Sequence, residues 1–403
     1  ISVHEAQGEV LAAAAKLSAL AVELIPIERS LGRVLAADLT ATLSVPRFTN
    51  SAMDGYALHA RSTKDGAVDL HVIGESAAGD VGDLVVTRQE CARIFTGAPI
   101  PKGCDAVVMQ ENVTRTGDHV HVPATITPCL NIRSVGEDVA VGALLIPAGT
   151  RICAGEIALA ATQGRAFLSV RRRPVVAIIA TGDELVEIDT LVTSPESKIG
   201  NGNALMLAAQ VVNAGAEPVR LPIVRDTPEA VSAALLRASS IADVVITTGG
   251  VSVGDRDYVG SEAAQLGTMV FHKVRMRPGK PVAFGIIREK AFFGLPGNPV
   301  SSYVAFELFV WPLLRTMLGA PDALRASVPV KLDVAVERDT DRPSYLRAKL
   351  RWDGATLAAA PRTRQGSGDL TGLRDIDGLV TVDAGNQPAA PGEIVPCLLL
   401  RTP

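Results

Sequence analysis

Apolar and polar positions follow two different rhythms along this chain. Between Val175 and Leu295, short apolar runs are separated by segments with helical spacing, which predicts parallel strands connected by helices. Strands are predicted at 175–180, 219–224, 243–248, 269–274, 282–287 and 291–295. Helices are predicted from a cap at Asn203 to Gly215, after a cap at Thr227, and from Asn298 towards Leu318. This rhythm predicts a doubly wound, mostly parallel sheet with helices on both faces.

The flanking segments have other patterns. Ser2 and Glu5 have the spacing of a capping box, and an Ala/Leu-rich helix is predicted from Val3 to Leu20. Further helical pieces are predicted over 28–36, interrupted by Gly32, and over 155–164. Short apolar runs between turn residues predict a β-rich part from about 43 to 122, and a small barrel or sandwich after Pro321. The strands predicted in these two β-rich parts include 69–73, 91–95, 106–109, 328–336, 345–352, 378–382 and 393–400.

Composition narrows the class of protein. A chain of 403 residues is too long for one core, so two to four domains are expected. The net charge of −4 lacks the basic excess of nucleic-acid-binding surfaces, and no apolar run reaches the about 18 residues of a membrane span. The start lacks the basic and apolar regions of a signal peptide, and the five cysteines show no C-x-x-C spacing, so a cytoplasmic location is expected. The six histidines are scattered, with His119 and His121 as the only close pair, so no zinc site is expected.

Glycines and acidic residues follow two of the predicted strands. Residues 247–257 read TTGGVSVGDRD, and residues 180–185 read ATGDEL. Because the carboxyl ends of parallel strands meet at one edge of a sheet, we expect these segments to line one cleft. Glycines let a phosphate or a pterin approach the backbone, and the carboxylates suit Mg²⁺. The alternative is an ordinary turn, in which Asp183 caps the next segment and Glu184 is solvated.

Two further segments are candidates for anion binding. Pro296, Gly297 and Asn298 precede a predicted helix, whose free N–H groups attract anions, although the same residues are also an ordinary cap. Lys273, Arg275 and Arg277 alternate, so in an extended strand they share one face, and together with Lys280 they suit phosphate or molybdate. For Arg275 a solvated surface position is an equally good interpretation.

Taken in order, six motifs resemble the MoeA family, the molybdopterin molybdenumtransferases, to which the E domain of gephyrin is related. The motifs are SAMDGYA at 51–57, GEDV at 136–139, ATGDEL at 180–185, TTGGVSVGDRD at 247–257, RMRPGKP at 275–281 and GLPGNPVSS at 294–302. The resemblance covers nearly the whole chain. Two departures are Arg277, where many members have Lys, and Gly202, where Ser is common.

The resemblance implies a division into four domains and a homodimer. An α/β molybdopterin-binding domain is expected from 1–22 plus 171–320, a mixed connector domain from 23–42 plus 143–170, a β-rich inserted domain from 43–142, and a C-terminal β-barrel domain from 321–403. The active site is expected to be shared between subunits, because the inserted domain of one subunit would reach the α/β cleft of the other.

The resemblance also implies a reaction, which is the Mg²⁺-dependent insertion of molybdate into adenylylated molybdopterin with release of AMP. The expected catalytic residues are Asp255, Glu184, Asp54, Thr96, Asp138 and Lys273, and the expected metal ligands are Asp255, Glu184 and Asp183. The expected substrate-binding residues are Gly249, Gly250, Ser252, Asp257, Asp226, Pro296, Gly297, Asn298, Ser301, Arg277, Lys280, Arg347 and Ser367. The upstream adenylyltransferase and molybdoenzymes are the implied protein partners.

Two other functions are compatible with parts of the sequence. A non-catalytic molybdopterin-binding or scaffold protein would keep the fold, but the acids and bases present at every motif disfavour it. A molybdopterin adenylyltransferase would share the Gly-Gly turn, but it lacks the inserted and final β domains, so the length of this chain disfavours it.

Overall fold

The computed structural model describes residues 1–17, 20–250 and 258–401. Up to residue 171 the elements are α1 (Val3–Lys16), β1 (Val22–Pro26), β2 (Leu39–Thr40), β3 (Asn50–Ser51), β4 (Gly55–Leu58), β5 (Val68–Ser76), β6 (Glu90–Ile94), β7 (Ala106–Met109), β8 (Thr114–Thr116), β9 (His119–Val122), β10 (Ile132–Arg133), β11 (Leu144–Ile146), α2 (Ala154–Thr162) and β12 (Phe167–Arg171).

The following region contains β13 (Val175–Ala180), β14 (Leu185–Val186), β15 (Ile199–Gly200), α3 (Gly202–Asn213), β16 (Glu217–Arg220), α4 (Pro228–Ile241), β17 (Val244–Thr248), α5 (Tyr258–Leu266), β18 (Gly267–Phe271), β19 (Ala283–Ile287), β20 (Lys290–Leu295), α6 (Pro299–Ala305) and α7 (Trp311–Met317). The carboxyl-terminal region contains β21 (Ser327–Leu332), β22 (Ser344–Asp353), β23 (Thr356–Pro361), β24 (Gly378–Val382) and β25 (Ile394–Leu399).

A six-stranded sheet with the order β16-β13-β17-β20-β19-β18 forms the centre of the molecule. Its strands β16, β13, β17 and β20 are parallel, and β19 and β18 extend the sheet in antiparallel pairs. Apolar residues of α1, α3, α6 and α7 pack on one face, and those of α4 and α5 pack on the other. The expected doubly wound, mostly parallel sheet is therefore confirmed.

Further strands pair outside this sheet, in a second six-stranded sheet, a barrel and several two-stranded pairs. A mixed six-stranded sheet has the order β7-β4-β6-β5-β9-β8, β1 pairs with β12, and β21 to β25 close into a barrel. The barrel and the multidomain α/β architecture agree with the sequence-based expectation. On these pairings we propose the four-part division given above, with boundaries at residues 22, 42, 142, 170 and 320. No helix among the residues that the structure describes is long and apolar enough to cross a membrane.

Helix α1 and the segment that follows β1 differ from their predictions. The capping box of Ser2 and Glu5 is present, but α1 ends at Lys16 rather than at Leu20. Residues 28–36 do not form a helix, because only a 3₁₀ turn over Ile27–Arg29 is present. Gly32 then takes a φ of +76°, and the neighbouring Val34 and Leu35 form β-bridges. Because a residue with a positive φ cannot continue an α-helix, the helix predicted over 28–36 is wrong.

Three boundaries in the α/β region differ from the predicted ones. Asn201, not Asn203, caps α3 and accepts from the N–H of Ala204. The strand predicted at 219–224 is β16, at Glu217–Arg220, and Val224 forms an isolated bridge with Thr181. The strand predicted at 269–274 is β18, which ends at Phe271.

The segment after β18 joins the α/β region to the barrel. The N–H of Arg277 donates to the carbonyl of Pro343 at 2.9 Å, and the N–H of Tyr345 donates to the carbonyl of Arg277 at 2.8 Å. This forms a parallel bridge between Arg277 and Ser344, at the start of β22. The barrel is thereby held beside the loop that carries Arg277.

Candidate functional site

A cleft of about 320 Å³ opens at the carboxyl ends of β13, β17 and β20. Its lining includes Thr181, Glu184, Asn203, Gly249 and Asn298, with Thr248, Gly297 and Pro299 beside them. These residues lie far apart in the chain, and the parallel register of the sheet brings them together. The expectation that the ATGDEL and Gly-Gly segments share one sheet edge with the Pro296–Pro299 loop thus agrees with the structure.

The glycine turn after β17 depends on the absence of side chains. Gly249 has a φ of +93° and Gly250 a φ of +66°, which L-residues rarely adopt. A Cβ on Gly249 would lie 2.5 Å from the carbonyl oxygen of Thr181, and one on Gly250 would lie 2.6 Å from a methyl carbon of Val259. Backbone can therefore approach both the β13 turn and a ligand in the cleft.

A polar network that the sequence did not indicate holds the wall of this cleft. The side-chain amide of Asn203 donates to the Thr248 hydroxyl at 3.1 Å and to the carbonyl of Gly297 at 2.6 Å. The Ser302 hydroxyl donates to the carbonyl of Pro296 at 2.7 Å. The same hydroxyl lies 3.3 Å from the Thr248 hydroxyl. Polar residues next to each strand end were the only signal available in the sequence.

Glu184 and Asp183 follow β13, and both are exposed. The Glu184 carboxylate folds back over Gly182, where a Cβ would lie 2.7 Å from either carboxylate oxygen. The Asp183 side chain does not line the cleft, and its carbonyl accepts from the Lys198 ammonium at 2.5 Å. Of the two acidic residues, Glu184 is the one placed to meet a ligand.

A second cleft, of about 440 Å³, adjoins the first at Asn298. It is lined by Arg277, Lys280, Ser301 and Ser367 among others. The side-chain amide of Asn298 donates to the Ser367 hydroxyl at 3.2 Å, and so joins the Pro296–Pro299 loop to the barrel. Cations and hydroxyl donors therefore face one space, which suits an oxyanion.

The basic segment is not an extended strand, because residues 272–281 form a loop. Exposed and buried side chains still alternate along this loop, since Lys273, Arg275 and Arg277 are exposed whereas Val274 and Met276 are buried. Arg277 lies 3.8 Å from Asp339 and is 58% exposed. Lys273 does not line either cleft, and its carbonyl accepts from the amino group of Ile1 at 3.3 Å.

Arg347 occupies a position that the sequence did not anticipate, because its side chain is fully buried. Its guanidinium donates to the carbonyls of Arg364, Gly366 and Asp369 and to the side chain of Gln365. A Cβ on Gly372 would lie 2.6 Å from it. The structure does not support direct contact with molybdate, since these donors are already used. Arg347 instead holds the 364–369 loop, which carries Ser367.

Asp54 and Thr96 form a compact pair in the mixed sheet. One carboxylate oxygen of Asp54 accepts from both the N–H and the hydroxyl of Thr96, each at 2.7 Å. These two bonds hold the pKa of Asp54 below its usual range, with the hydroxyl as the larger cause and the positive charge of Arg93 as a smaller one. The two hydrogen bonds from Thr96 therefore favour the ionised form of Asp54.

Asp138 and Asp226 lie in turns. The N–H of Asp138 donates to the carbonyl of Val45 at 3.0 Å, and its side chain is exposed. Asp226 precedes Thr227, the cap of α4, just after the Val224 bridge to Thr181. The other predicted residues at this edge, Ser252, Asp255 and Asp257, lie outside the described residues.

Glu184 offers an oxygen donor of the kind that Mg²⁺ prefers. Magnesium usually keeps several waters and takes one or two carboxylates together with the phosphates of a substrate. Within the described ranges, no group of three or more His, Cys, Asp or Glu is arranged to hold a metal. The residues present thus fit Mg²⁺ held by few protein ligands, and they do not fit a closed metal cage.

Three family regions match successive parts of the chain. Residues 1–164 match the MoeA N-terminal region (domain I and II), residues 177–316 match the probable molybdopterin binding domain, and residues 329–400 match the MoeA C-terminal region (domain IV).

Curated relatives and solved structures match over almost the full length. Molybdopterin molybdenumtransferase of Bacillus subtilis is 36% identical over 390 residues, which is 94% of this chain and 90% of the relative. The enzyme of that name from Nostoc sp. is 36% identical over 94% of this chain and 89% of its own. The crystal structure of the molybdopterin biosynthesis MoeA protein from Pyrococcus horikoshii OT3 is 28% identical with a TM-score of 0.85, over 99% of each chain. This chain belongs to the MoeA family.

Proposed function

We propose that this chain is a molybdopterin molybdenumtransferase that inserts molybdate into adenylylated molybdopterin and releases AMP. The observation that carries the proposal is the pair of adjoining clefts that meet at Asn298. One cleft has a glycine turn and a helix start, which suit a phosphate and a pterin. The other has cations and hydroxyls, which suit molybdate. The names of the full-length relatives support the same activity.

The two clefts divide the work between substrates. Gly249, Gly250 and Ser252, with the loop from Pro296 to Ser301, bind the phosphate and the pterin. Arg277, Lys280 and Ser367 bind molybdate, and Arg347 positions the loop that carries Ser367. Asp226 and Asp257 complete the substrate side of the sheet edge. A site built this way brings molybdate beside the dithiolene while the phosphate stays anchored.

In the reaction, a water oxygen attacks phosphorus in the phosphoanhydride bond of the adenylylated substrate, and AMP leaves as that bond breaks. The two dithiolene sulfurs each displace one oxygen of molybdate, and the displaced oxygens leave as water with the two thiol protons and two protons from solvent. Asp255, Glu184 and Asp183 are the proposed ligands for Mg²⁺, which would neutralise charge on the phosphates when bound. Glu184 and Asp255 also orient the attacking oxygen. Lys273 is retained only as a more distant source of positive charge, because its side chain lines neither cleft.

We further propose a cytoplasmic homodimer with an active site shared between subunits. Asp54, Thr96 and Asp138 lie in the 43–142 part, and their described hydrogen bonds join them to one another or to neighbours in that part. In the proposed dimer, these residues complete the α/β cleft of the partner. The upstream adenylyltransferase and molybdoenzymes are the proposed protein partners.

The test is AMP release by the purified protein, given adenylylated molybdopterin and Mg²⁺, with and without molybdate. When molybdate is added, we expect AMP to be released and molybdenum-loaded cofactor to form. The cofactor is detected by the activity that it restores to an apo-molybdoenzyme. Binding of the substrate without AMP release would favour the scaffold function. Formation of adenylylated molybdopterin from ATP and molybdopterin would favour the adenylyltransferase function.

A further inference from the structure

Thr181, the first residue after β13, has a buried hydroxyl at the lining of the first cleft, and no described residue is its hydrogen-bond partner. The residue is 3% exposed and lines the first cleft. Among the residues that the structure describes, its Oγ1 atom is buried without a hydrogen-bond partner. A buried hydroxyl without a partner destabilises a protein, so its presence at a ligand cleft calls for a partner in another state.

The glycine turn lies directly over this hydroxyl. A Cβ on Gly250 would be 2.9 Å from Thr181 Oγ1, and one on Gly249 would be 3.1 Å from it. The N–H of Thr181 is already used, since it donates to the carbonyl of Thr248 at 3.1 Å. The side-chain hydroxyl is thus a donor of Thr181 that a movement of the turn can bring into a hydrogen bond.

From this juxtaposition we infer that Thr181 is a positioning residue, whose hydroxyl bonds the Gly249–Gly250 turn only when the cleft holds its phosphate ligand. The N–H of Gly249 already donates to the carbonyl of Leu295 at 3.2 Å. The ligand therefore draws the N–H of Gly250 towards itself, and the shifted turn then gives Oγ1 a hydrogen-bond partner. The unpartnered hydroxyl destabilises the ligand-free protein, and the hydrogen bond that forms in the bound state increases the affinity for the ligand. This inference rests on the proposed function, because it takes the ligand to be the adenylylated substrate or its product AMP.

Thr181→Val tests the inference, since valine has nearly the same shape and lacks the hydroxyl. Without ligand, we expect the melting temperature of the full-length variant to equal or exceed that of the wild type. With AMP, followed by calorimetry and by ligand-induced thermal shift, we expect binding to weaken roughly 3- to 10-fold. Thr181→Ser, which restores a hydroxyl, should recover most of the affinity.

Thr247→Val is the matched control. Thr247 is fully buried in β17, and its hydroxyl lies 3.5 Å from the carbonyl of Phe293, away from the cleft lining. We expect this variant to bind AMP like the wild type. In the enzyme assay, Thr181→Val should raise KM for the adenylylated substrate more than it lowers kcat.

Two results would overturn the inference. A lower melting temperature of ligand-free Thr181→Val would mean that the hydroxyl already has a structural partner. Unchanged AMP affinity in Thr181→Val would mean that it gains none on binding. Failure of the wild-type protein itself to bind AMP or to release it would instead contradict the proposed function.

Discussion

The side-chain amide of Asn203 lies 2.6 Å from the carbonyl oxygen of Gly297, and so ties the first turn of α3 to the loop that precedes α6. The same amide nitrogen lies 3.1 Å from the Thr248 hydroxyl at the end of β17. One side chain therefore sets the spacing of three segments around the cleft. The relationship matters because a glycine-rich wall has few side chains to fix it.

Asn203→Ala should disturb this wall. We expect a loss of about 1–2 kcal/mol of stability, because the Gly297 carbonyl and the Thr248 hydroxyl lose a partner. AMP release should fall roughly 10-fold, since the loop around Gly297 is no longer held. Denaturant unfolding and the AMP assay measure the two effects. Asn386→Ala, at an exposed position, should change neither, and full activity of Asn203→Ala would show that the tie is dispensable.

Arg347→Ala should act through the 364–369 loop. The substitution leaves several buried carbonyls without a donor, so we expect a loss of about 2–4 kcal/mol. Molybdate use should weaken roughly 10- to 100-fold as Ser367 is displaced, whereas nucleotide binding should stay nearly unchanged. Titration of molybdate at saturating adenylylated substrate measures the change in molybdate use. Unchanged molybdate dependence would mean that the anion is held elsewhere.

Two further variants serve as controls for the Arg347→Ala experiment. Arg347→Lys should not restore function, because one ammonium cannot replace a planar fork that bonds several carbonyls. Arg351→Ala, on the same strand, removes an exposed pair with Asp333 and should cost under about 1 kcal/mol.

Thr96→Val should raise the pKa of Asp54 towards its usual range, because the hydroxyl bond is the larger cause of its lowering. A carboxyl whose pKa is lowered on folding favours the folded state above its unfolded-state pKa. That contribution is lost as the pH falls through the folded-state pKa. The variant should therefore lose the Asp54 charge at a higher pH than the wild type. Carboxyl-carbon NMR titration of labelled aspartate follows this directly, with Thr116→Val as an exposed control; an unmoved Asp54 titration would contradict it.

Asp255→Asn should keep the fold but lower AMP release on the order of 100-fold or more, as loss of a preorganised charge can do. The AMP assay and a thermal melt measure activity and folding separately. Asp189→Asn, at an exposed turn of the same region, is the comparison and should retain activity. Near wild-type turnover in a folded Asp255→Asn protein would remove Asp255 from the mechanism.

Hybrid dimers test whether the active site is shared. Asp54→Ala and Asp255→Ala should each be inactive, because each removes one half of the proposed site. After subunit exchange, a mixed dimer contains one site with both residues intact, so some activity should return. Native mass spectrometry confirms that exchange has occurred. Exchange without recovered activity would mean that each subunit uses only its own residues.

The sheet could be predicted from the sequence more fully than the site. Buried parallel strands are continuous apolar runs, so β13 was predicted at its observed bounds and β17 and β20 to within one residue. Asn203 was misassigned as a cap, because its partners lie 45 and 94 residues away and no local pattern reveals them. Arg347 was expected to bind the substrate, since nothing in its neighbours indicates that five carbonyl and amide contacts converge on it.

The backbone bridge between Arg277 and the start of β22 has a consequence for anyone who wishes to shorten this protein. A chain ending near residue 320 would keep all the strands of the central sheet, and it would look like a complete α/β fold. It would nevertheless lose the acceptor for the Arg277 N–H and the donor to its carbonyl, at the point where the cation lines the second cleft. Such a fragment should still recognise the nucleotide half of its substrate, yet be unable to tell one oxyanion from another.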